Sequence, residues 1–279
     1  MSTAVLAEPA PPCSVAVPLD HLSWSGINAY KTCPRKFAYR YLENVPEEFK
    51  PSSLAFGSAF HIAVEKVQEA RLQGLNVPPL DEILNAFDIA WSNETLGHDI
   101  LFCKEEDETS ARNLAQRMLA VYSEYAALEA TLPGPAQIIS IEHSNRFRLL
   151  ADVPPIESRI DLLELHGKDL VVSDLKTSRS RWNDTKVLEA VPQLVLYATG
   201  LLPLMRELGA TRIVTKFVVV TKAVNPKVQV LQPQASQDDV VRLKQTISET
   251  WSAIQTGLFI KRESWACAQC PYKNRCLGR

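Results

Sequence analysis

The chain has 279 residues, 46% of them apolar and 22% charged, and its formal net charge is −2. This length fits one large domain with a packed core. The near-neutral net charge does not by itself indicate nucleic-acid binding, although a neutral protein can still carry a local basic groove. Six cysteines in a chain of this size exclude a disulfide-rich scaffold, and no apolar run approaches the roughly 20 residues of a membrane span.

The first segment, residues 1–20, is proline-rich and lacks the basic start of a secretory signal. It predicts a flexible tail, which contains Cys13, on a cytoplasmic protein that does not associate with membranes. In such a reducing compartment, clustered cysteines bind metals more often than they pair with one another.

The next segments predict helices. Residues 22–45 offer an apolar face at helical spacing, and Pro34 predicts a break just after Cys33. Residues 54–74 repeat apolar side chains at helical spacing and end in a glycine. Residues 80–130 show helical patterning without a strand signal, and Cys103 among them is interpreted as an ordinary packing residue.

From about Gln137 the pattern changes to the alternating and short apolar runs that are typical of strands. The predicted order is three strands, a helix, a strand and a final helix, in residues 137–150, 157–165, 170–177, 187–208, 212–221 and 237–256. A further strand is a candidate at 227–233, and "HGKD" predicts a turn between the second and third strands. The predicted fold class is therefore α/β, a mixed sheet flanked by helices and preceded by a helical insertion.

A carboxylate–lysine pattern occupies the predicted third strand. Asp174 and Lys176 alternate in "SDLKT" and therefore face one side of the strand, while Leu175 faces the core. If the second and third strands pair through the turn, Asp161 approaches Asp174. Two carboxylates and the Leu175 carbonyl would suit Mg²⁺ or Mn²⁺, and a lysine beside them would assist phosphodiester hydrolysis. The same triplet also arises by chance as exposed charges at a strand end.

Two helical pairs at i, i+4 spacing add further candidates. His61 and Glu65 share one face of the helix predicted at 54–74. Gln193 and Tyr197 share one face of the helix that follows the carboxylate strand. A helical histidine is most often a surface or core-edge residue, and a glutamine and a tyrosine equally suit ordinary edge polarity.

The sequence closes with "CAQCPYKNRC", in which three cysteines form a C-x2-C-x5-C pattern: Cys267, Cys270 and Cys276. Thiolate metal sites usually take four ligands, so this pattern lacks one. Zinc ribbons use two C-x2-C pairs, which makes the spacing less typical of zinc, although a four-cysteine zinc site stays open as an alternative.

The order of these features resembles the PD-(D/E)XK nuclease superfamily, in its RecB-type exonuclease branch. The likeness is carried by the histidine helix, the first aspartate, D-x-K and Q-x-x-x-Y, and by the C-P-x-x-F-x-Y run in "SWSGINAYKTCPRKFAYRYL". Members such as the CRISPR-adaptation nuclease and the AddB nuclease domain carry one cysteine before the core and three after it. The resemblance covers residues 22–276, and it departs at Ser158, where the family often has glycine.

The resemblance implies a restriction-endonuclease-like fold and a metal-dependent exonuclease that degrades single-stranded DNA ends. It implies a shell for Mg²⁺ or Mn²⁺ made of His61, Asp161, Asp174 and the carbonyl of Leu175. Lys176 would then position the attacking water. Gln193 and Tyr197 would steady the active-site strand or the DNA, and Glu65 would support His61.

The resemblance also implies a [4Fe–4S] cluster, with Cys33 as the fourth ligand beside the three C-terminal cysteines. Such a cluster would tie both ends of the chain together and stabilise the fold. Basic residues near these ligands would either hold a DNA strand or form a solvated face: Arg35, Lys36, Arg40, Lys273 and Arg275. Most of the aromatic residues between them are expected to pack rather than to stack on bases.

The predicted organisation is the tail followed by one nuclease domain at 21–279, made of a helical insertion (75–132), a core (137–256) and a cysteine tail (257–279). Because no phosphate-binding loop is present, the protein would be a free-standing nuclease or part of a complex, with helicase, recombination or CRISPR proteins as partners. The setting would be DNA repair, recombination, or phage or CRISPR-related DNA processing. Two alternatives stay open: a non-catalytic DNA-binding subunit, and a zinc-stabilised structural protein.

Overall fold

The computed structural model describes residues 19–103, 105–131, 134 and 136–278. The predicted N-terminal tail, apart from its last two residues, and Cys13 lie outside the described residues. Within them, no helix is both long enough and apolar enough to cross a bilayer.

The N-terminal helical segment is broken at Cys33. Helix α1 (Trp24–Thr32) begins after Ser23, whose hydroxyl accepts a hydrogen bond from the Gly26 N–H. Cys33 is extended, with φ −157° and ψ 106°, because a residue that precedes proline is disfavoured in the helical region. Helix α2 (Pro34–Phe37) follows, and it continues as a π-helical turn to Leu42. The prediction of a break after Cys33 is confirmed.

Three helices and two short strands come next in the chain. They are β1 (Lys50–Pro51), α3 (Ser52–Leu72), α4 (Leu80–Thr95), β2 (Ile100–Leu101) and α5 (Glu108–Ala130). The expectation that residues 80–130 contain no strand is wrong, since β1 and β2 form a short parallel pair. A two-residue strand carries no periodicity in sequence, and this one is fixed by contacts such as the Lys50 N–H to the Asp99 carbonyl at 2.8 Å.

The second half of the chain forms a five-stranded sheet with its flanking helices. Its elements are β3 (Gln137–Phe147), β4 (Ile156–His166), β5 (Asp169–Ser178), α6 (Asp184–Gly200), α7 (Leu202–Glu207), β6 (Arg212–Thr221), β7 (Val228–Leu231) and α8 (Gln237–Gln255). The strand order is β3-β4-β5-β6-β7, and only β5 and β6 are parallel. Helix α6 makes the crossover between these two strands, as a parallel connection requires. The predicted strands and the mixed sheet are confirmed.

Helices cover both faces of the sheet. Leu175, Val218 and Val220 pack on one face against α3, α4 and α5. Val172 and Val219, at alternate positions, pack on the other face against α6. Helix α6 lies so close to β3 that a Cβ at Gly200 would stand 2.3 Å from the Phe147 ring, so only glycine fits there. The active-site strand β5 is therefore held between two layers of helices.

The C-terminal segment returns to the N-terminal helices. It contains a 3₁₀ turn (Trp265–Gln269) and α9 (Lys273–Leu277). The Arg35 N–H donates to the Ile260 carbonyl at 3.2 Å, and the Glu48 N–H donates to the Pro271 carbonyl at 3.1 Å. The two ends of the described chain thus meet, which is the arrangement that a shared metal site between them requires.

Candidate active site

Paired strands bring the two candidate aspartates together. Leu162 on β4 pairs with Ser173 on β5, so Asp161 and Asp174 are the next positions on neighbouring strands. The Leu175 N–H donates a hydrogen bond of 2.6 Å to Asp161 Oδ2, which holds this carboxylate against β5. The Leu175 side chain is buried between the sheet and α3.

Asp174 and Lys176 face the same side of β5. Lys176 Nζ lies 2.7 Å from Asp174 Oδ2, yet not in hydrogen-bond geometry, so this oxygen has no hydrogen-bond partner among the described residues. Burial, with help from Asp161, raises the pKa of Asp174 to about 6 in spite of the opposing Lys176 charge. Burial alone would lower the pKa of Lys176, but Asp174 and Asp161 raise it. A buried carboxylate beside a second aspartate is a candidate ligand for a divalent cation, with the Lys176 ammonium as its present partner.

Helix α3 places His61 at the same point. Its Nδ1 lies 3.5 Å from Asp161 Oδ1. Burial would lower the pKa of His61, but the Asp161 carboxylate outweighs burial and raises it. Burial in turn would raise the pKa of Asp161, and the His61 charge lowers it. The helix and the sheet therefore contribute to one electrostatic site.

Glu142 on β3 belongs to this site, and the sequence analysis missed it. Ile141 pairs with Leu162, and His143 pairs with Ile160, which sets Glu142 beside Asp161. Donor atoms of three residues lie within 4.8 Å of one another: His61, Glu142 and Asp161. Glu142 has a left-handed backbone with φ 49°, which is rare for a residue other than glycine. Glu142 is followed in the strand by other polar residues, beginning with His143 and Ser144, so no local signal singled it out.

Glu65 faces Glu142 rather than His61. Burial, and then the Glu142 carboxylate, raise the pKa of Glu65 to about 7. No hydrogen bond joins Glu65 to His61 among the described residues, so the expected support of His61 by Glu65 is wrong. One helical turn carries Glu65 past the histidine and toward β3, where Glu142 projects.

A small cavity of about 30 Å³ lies between α3 and the sheet at this point. The cavity is lined by His61, Glu142 and Asp161, and it extends to Ser173 and Tyr122. A space of this volume holds one water-sized body. The donor set is one imidazole and several carboxylate oxygens, which suits a divalent cation such as Mg²⁺ or Mn²⁺.

Gln193 and Tyr197 meet on α6, which packs on the same face of β5 that carries Asp174 and Lys176. Gln193 Nε2 donates a hydrogen bond of 2.7 Å to the Tyr197 hydroxyl. Burial and the nearby Asp174 charge raise the pKa of Tyr197, so the phenol stays protonated. The pair therefore lies within electrostatic range of the aspartates.

All four predicted cluster cysteines line one cavity of about 250 Å³: Cys33, Cys267, Cys270 and Cys276. None of them forms a disulfide. Among the described residues, no three of their sulfurs lie within 4.8 Å of one another. Four thiolates around one tetrahedral zinc would have sulfurs roughly 3.8 Å apart, at about 2.3 Å from the metal. The cavity is thus wider than a preformed mononuclear zinc site.

The predicted basic residues divide into two groups. Lys36 and Lys273 line the cysteine cavity, together with Lys261 and Arg262. Arg35 and Arg40 pair with Glu43 and Glu47, at 3.1 and 3.6 Å. Arg35 and Arg275 stack on the Tyr39 ring, at 4.4 and 5.5 Å from its centroid. The rings of Tyr30, Phe37, Tyr39 and Tyr272 are buried, which confirms that most aromatics here pack.

Cys103 has specific polar contacts, so its interpretation as an ordinary packing residue is wrong. Its Sγ accepts from Arg179 at 3.1 Å and from Gln269 at 3.3 Å. Gln269 lies inside the C-x2-C pair, and Arg179 comes directly after β5. Cys103 therefore contacts both the cysteine tail and the segment that follows the active-site strand.

Comparison with known proteins adds three findings. The family model described as the PD-(D/E)XK nuclease superfamily matches residues 21–277. A solved structure of a protein named putative exonuclease, from Eubacterium rectale, is similar with a TM-score of 0.54 and 11% identity over 92% of this chain and 88% of its own. A second structure, named SSO0001, has a TM-score of 0.33 and 15% identity over 81% and 85% of the two chains. No curated protein matches the sequence significantly.

Proposed function

Because the chain belongs to the PD-(D/E)XK nuclease superfamily, we propose that it is a metal-dependent DNA exonuclease of the RecB type, acting on single-stranded ends. The single observation that carries this proposal is the convergence of Asp161, Asp174 and Lys176 with the histidine of α3. The carboxylates provide a cation site, and the lysine provides a charged donor within 2.7 Å of one of them.

The residues present fit a divalent metal. Asp174 Oδ2 is buried without a hydrogen bond among the described residues, and the donors of His61, Glu142 and Asp161 cluster beside it. When bound there, the metal would supply positive charge for the scissile phosphate and would make a water molecule more acidic. We include Glu142 in the ligand shell together with the expected Leu175 carbonyl.

Lys176 is proposed to orient the attacking water and to stabilise negative charge on the reacting phosphate. Its pairing with Asp174 keeps it protonated and fixes its direction. Gln193 and Tyr197 are proposed to hold β5 in place, since their hydrogen bond rigidifies the helix that packs on this strand. Their role is positioning rather than contact with the reacting atoms.

The first experiment is a cleavage assay with end-labelled linear and circular single-stranded DNA, with Mg²⁺ or Mn²⁺, on anaerobically purified protein. We expect degradation of the linear form only, and none by Lys176→Ala. Cleavage of circles as well would identify an endonuclease at the same site. DNA binding without cleavage under either metal would instead support the non-catalytic subunit.

We also propose that the four cysteines bind a [4Fe–4S] cluster. The proposal is supported by the four cysteines around one cavity and by the excess of positive charge in its lining, where Lys36, Lys261, Arg262 and Lys273 stand against Glu263. Its role would be to join the two ends of the chain. A brown protein with broad visible absorption and stoichiometric iron and sulfide is expected; a colourless protein with one zinc would overturn the assignment.

The proposed setting is DNA repair, recombination, or phage or CRISPR-related DNA processing. A helicase, recombination or CRISPR protein that supplies single strands is the proposed kind of partner. Affinity purification of the tagged protein from its own host, followed by mass spectrometry, tests for such partners.

A further inference from the structure

A second groove lies at the end of β5, outside the candidate metal site. It has a volume of about 580 Å³ and runs between the start of α3, the start of α5 and the segment after β6. Thr177 and Ser178, the last residues of β5, form part of its wall. The features of this groove are not explained by the metal site.

The start of α3 opens into the groove without a side-chain cap. The helix has 21 residues, its N-cap is Pro51, and no side chain accepts a hydrogen bond at that end. Ser52 and Ser53 of its first turn line the groove. The N–H groups of a first turn have no intrahelical acceptor, and they carry the positive end of the helix dipole. Such an end favours an anion.

Two buried hydroxyls also face this space. Ser52 is 5% exposed and Ser178 is 8% exposed, and both line the groove. Neither hydroxyl has a hydrogen-bond partner among the described residues, and neither oxygen is among the fully occluded unpartnered atoms. Both residues are mostly buried, but their hydroxyl oxygens are still reachable from the groove. They are therefore available to a ligand in the groove.

The charge of the groove is positive. Its basic residues are Arg117, Arg179, Lys186 and Lys222, against the acidic Glu105 and Glu106. In the part of the chain that the structure describes, none of these four cations has a carboxylate within 4.0 Å. Lys222 Nζ lies 4.3 Å above the centroid of the Phe56 ring. Burial lowers the pKa of Lys222 to about 8, while Glu106 opposes this shift and Arg179 adds to it. An anion beside Lys222 would stabilise its charged form and so offset the effect of burial.

The groove lies at the end of the strand that carries the candidate active site. Asp174, Lys176 and Ser178 are alternate residues of β5, so they share one side of the strand. At about 3.3 Å per residue, Ser178 is about 7 Å beyond Lys176 along the strand. A strand in a B-form duplex advances about 3.4 Å per phosphate and an extended single strand advances farther, so the groove is roughly one to two nucleotides from the lysine.

We propose that this groove binds a phosphate group of the DNA strand, held by the first turn of α3, the Ser52 and Ser178 hydroxyls and the Lys222 ammonium. The inference rests on the proposed nuclease function and assigns it a second anchor for the substrate. The phosphate belongs either to a strand end or to the backbone, and the experiment separates these two sources.

The test measures binding of internally labelled single-stranded oligonucleotides by fluorescence anisotropy in EDTA, where no cleavage occurs. Lys222→Gln is expected to weaken binding about tenfold and to reduce the slope of log affinity against log salt by about 1. Ser178→Ala is expected to weaken binding severalfold without changing the slope, because it removes a hydroxyl and no charge. The matched control is Lys244→Gln, which removes an exposed charge on α8.

Oligonucleotides with a 5′-phosphate, a 3′-phosphate or hydroxyls at both ends identify the source of the phosphate. If Lys222→Gln weakens only one phosphorylated form, the groove binds that end. If it weakens all forms equally, the groove binds a backbone phosphate. Equal affinities for Lys222→Gln, Ser178→Ala and Lys244→Gln, all folded by circular dichroism, would overturn the proposal.

The outcomes also separate this proposal from the nuclease proposal. If the wild-type protein cleaves DNA and both groove variants bind DNA normally, only the groove proposal is rejected. If DNA binding depends on the groove but the protein never cleaves with Mg²⁺ or Mn²⁺, only the nuclease proposal is rejected.

Discussion

The candidate metal site and the cysteine cavity both unite residues that are far apart in sequence, but they are supported differently. The aspartates lie on adjacent strands at the centre of a sheet that helices cover on both faces. The cysteines lie on an interhelical residue, a 3₁₀ turn and a helix of five residues. The first site is preorganised by the fold, whereas the second joins short elements with few contacts of their own.

This difference indicates different roles for the two proposed metal groups. At the first site, the sheet already holds the ligands in place, and they need little rearrangement. The charge of a metal bound there would therefore serve catalysis. A site between weakly held segments uses metal binding for folding, because the ligands are ordered only when the group is present. Changes at the first site should alter catalysis, and changes at the second should alter stability.

The largest effect is expected from Lys176→Ala. Loss of a charged donor that orients water should lower the cleavage rate by about 10²- to 10⁴-fold, with DNA affinity near normal. Single-turnover assays on linear DNA measure it, with Lys168→Ala in the exposed turn as the control. A variant that cuts as fast as the wild type would place the active site elsewhere.

Cys276→Ser should affect stability more than chemistry. Loss of one cluster ligand should cost about 3 kcal/mol of unfolding free energy, on the scale of a lost cross-link, or roughly 6–12 °C in Tm. Thermal unfolding and iron analysis measure it, with Cys103→Ser as the matched cysteine substitution. A folded, metal-loaded and fully stable Cys276→Ser protein would remove this residue from the ligand set.

Glu142→Gln tests the residue that only the structure identified. Removing a carboxylate from the shell should weaken Mn²⁺ binding by about 10- to 100-fold while leaving the fold intact. Isothermal titration calorimetry gives the affinity, and Glu157→Gln on the exposed part of β4 is the control. An unchanged Mn²⁺ affinity would exclude Glu142 from the shell.

The smallest effect is the pH dependence of metal binding. Because burial raises the pKa of Asp174 to about 6, a proton competes with the metal below that pH and is absent above it. Mn²⁺ affinity should therefore fall as the pH drops through about 6, and protonation of His61, whose pKa is raised, should add a fall that begins at higher pH. In titrations between pH 5 and 8, Asp174→Asn should lose the component near pH 6 and keep the component that His61 contributes.

The periodicity of single segments predicted most of the secondary structure. Alternation in "VVSDLKT" placed Asp174 and Lys176 on one side of a strand, and Pro34 marked the break at Cys33. The parallel pair of Lys50–Pro51 with Ile100–Leu101 left no trace, because two residues are too few for a period. The contacts of Cys103 with Arg179 and Gln269 join three separate segments, which no local pattern reports.

The sequence by itself determined the strand–helix order, the D-x-K strand and the cysteine spacing, since each depends on neighbours a few residues apart. Only the tertiary structure decided that Glu142 joins His61 and Asp161, that Glu65 faces Glu142, and that a groove with four basic residues lies at the end of β5. These features depend on strand register, on a left-handed residue and on the angle at which α3 crosses the sheet. Such properties are set by packing among distant residues, and local propensity does not encode them.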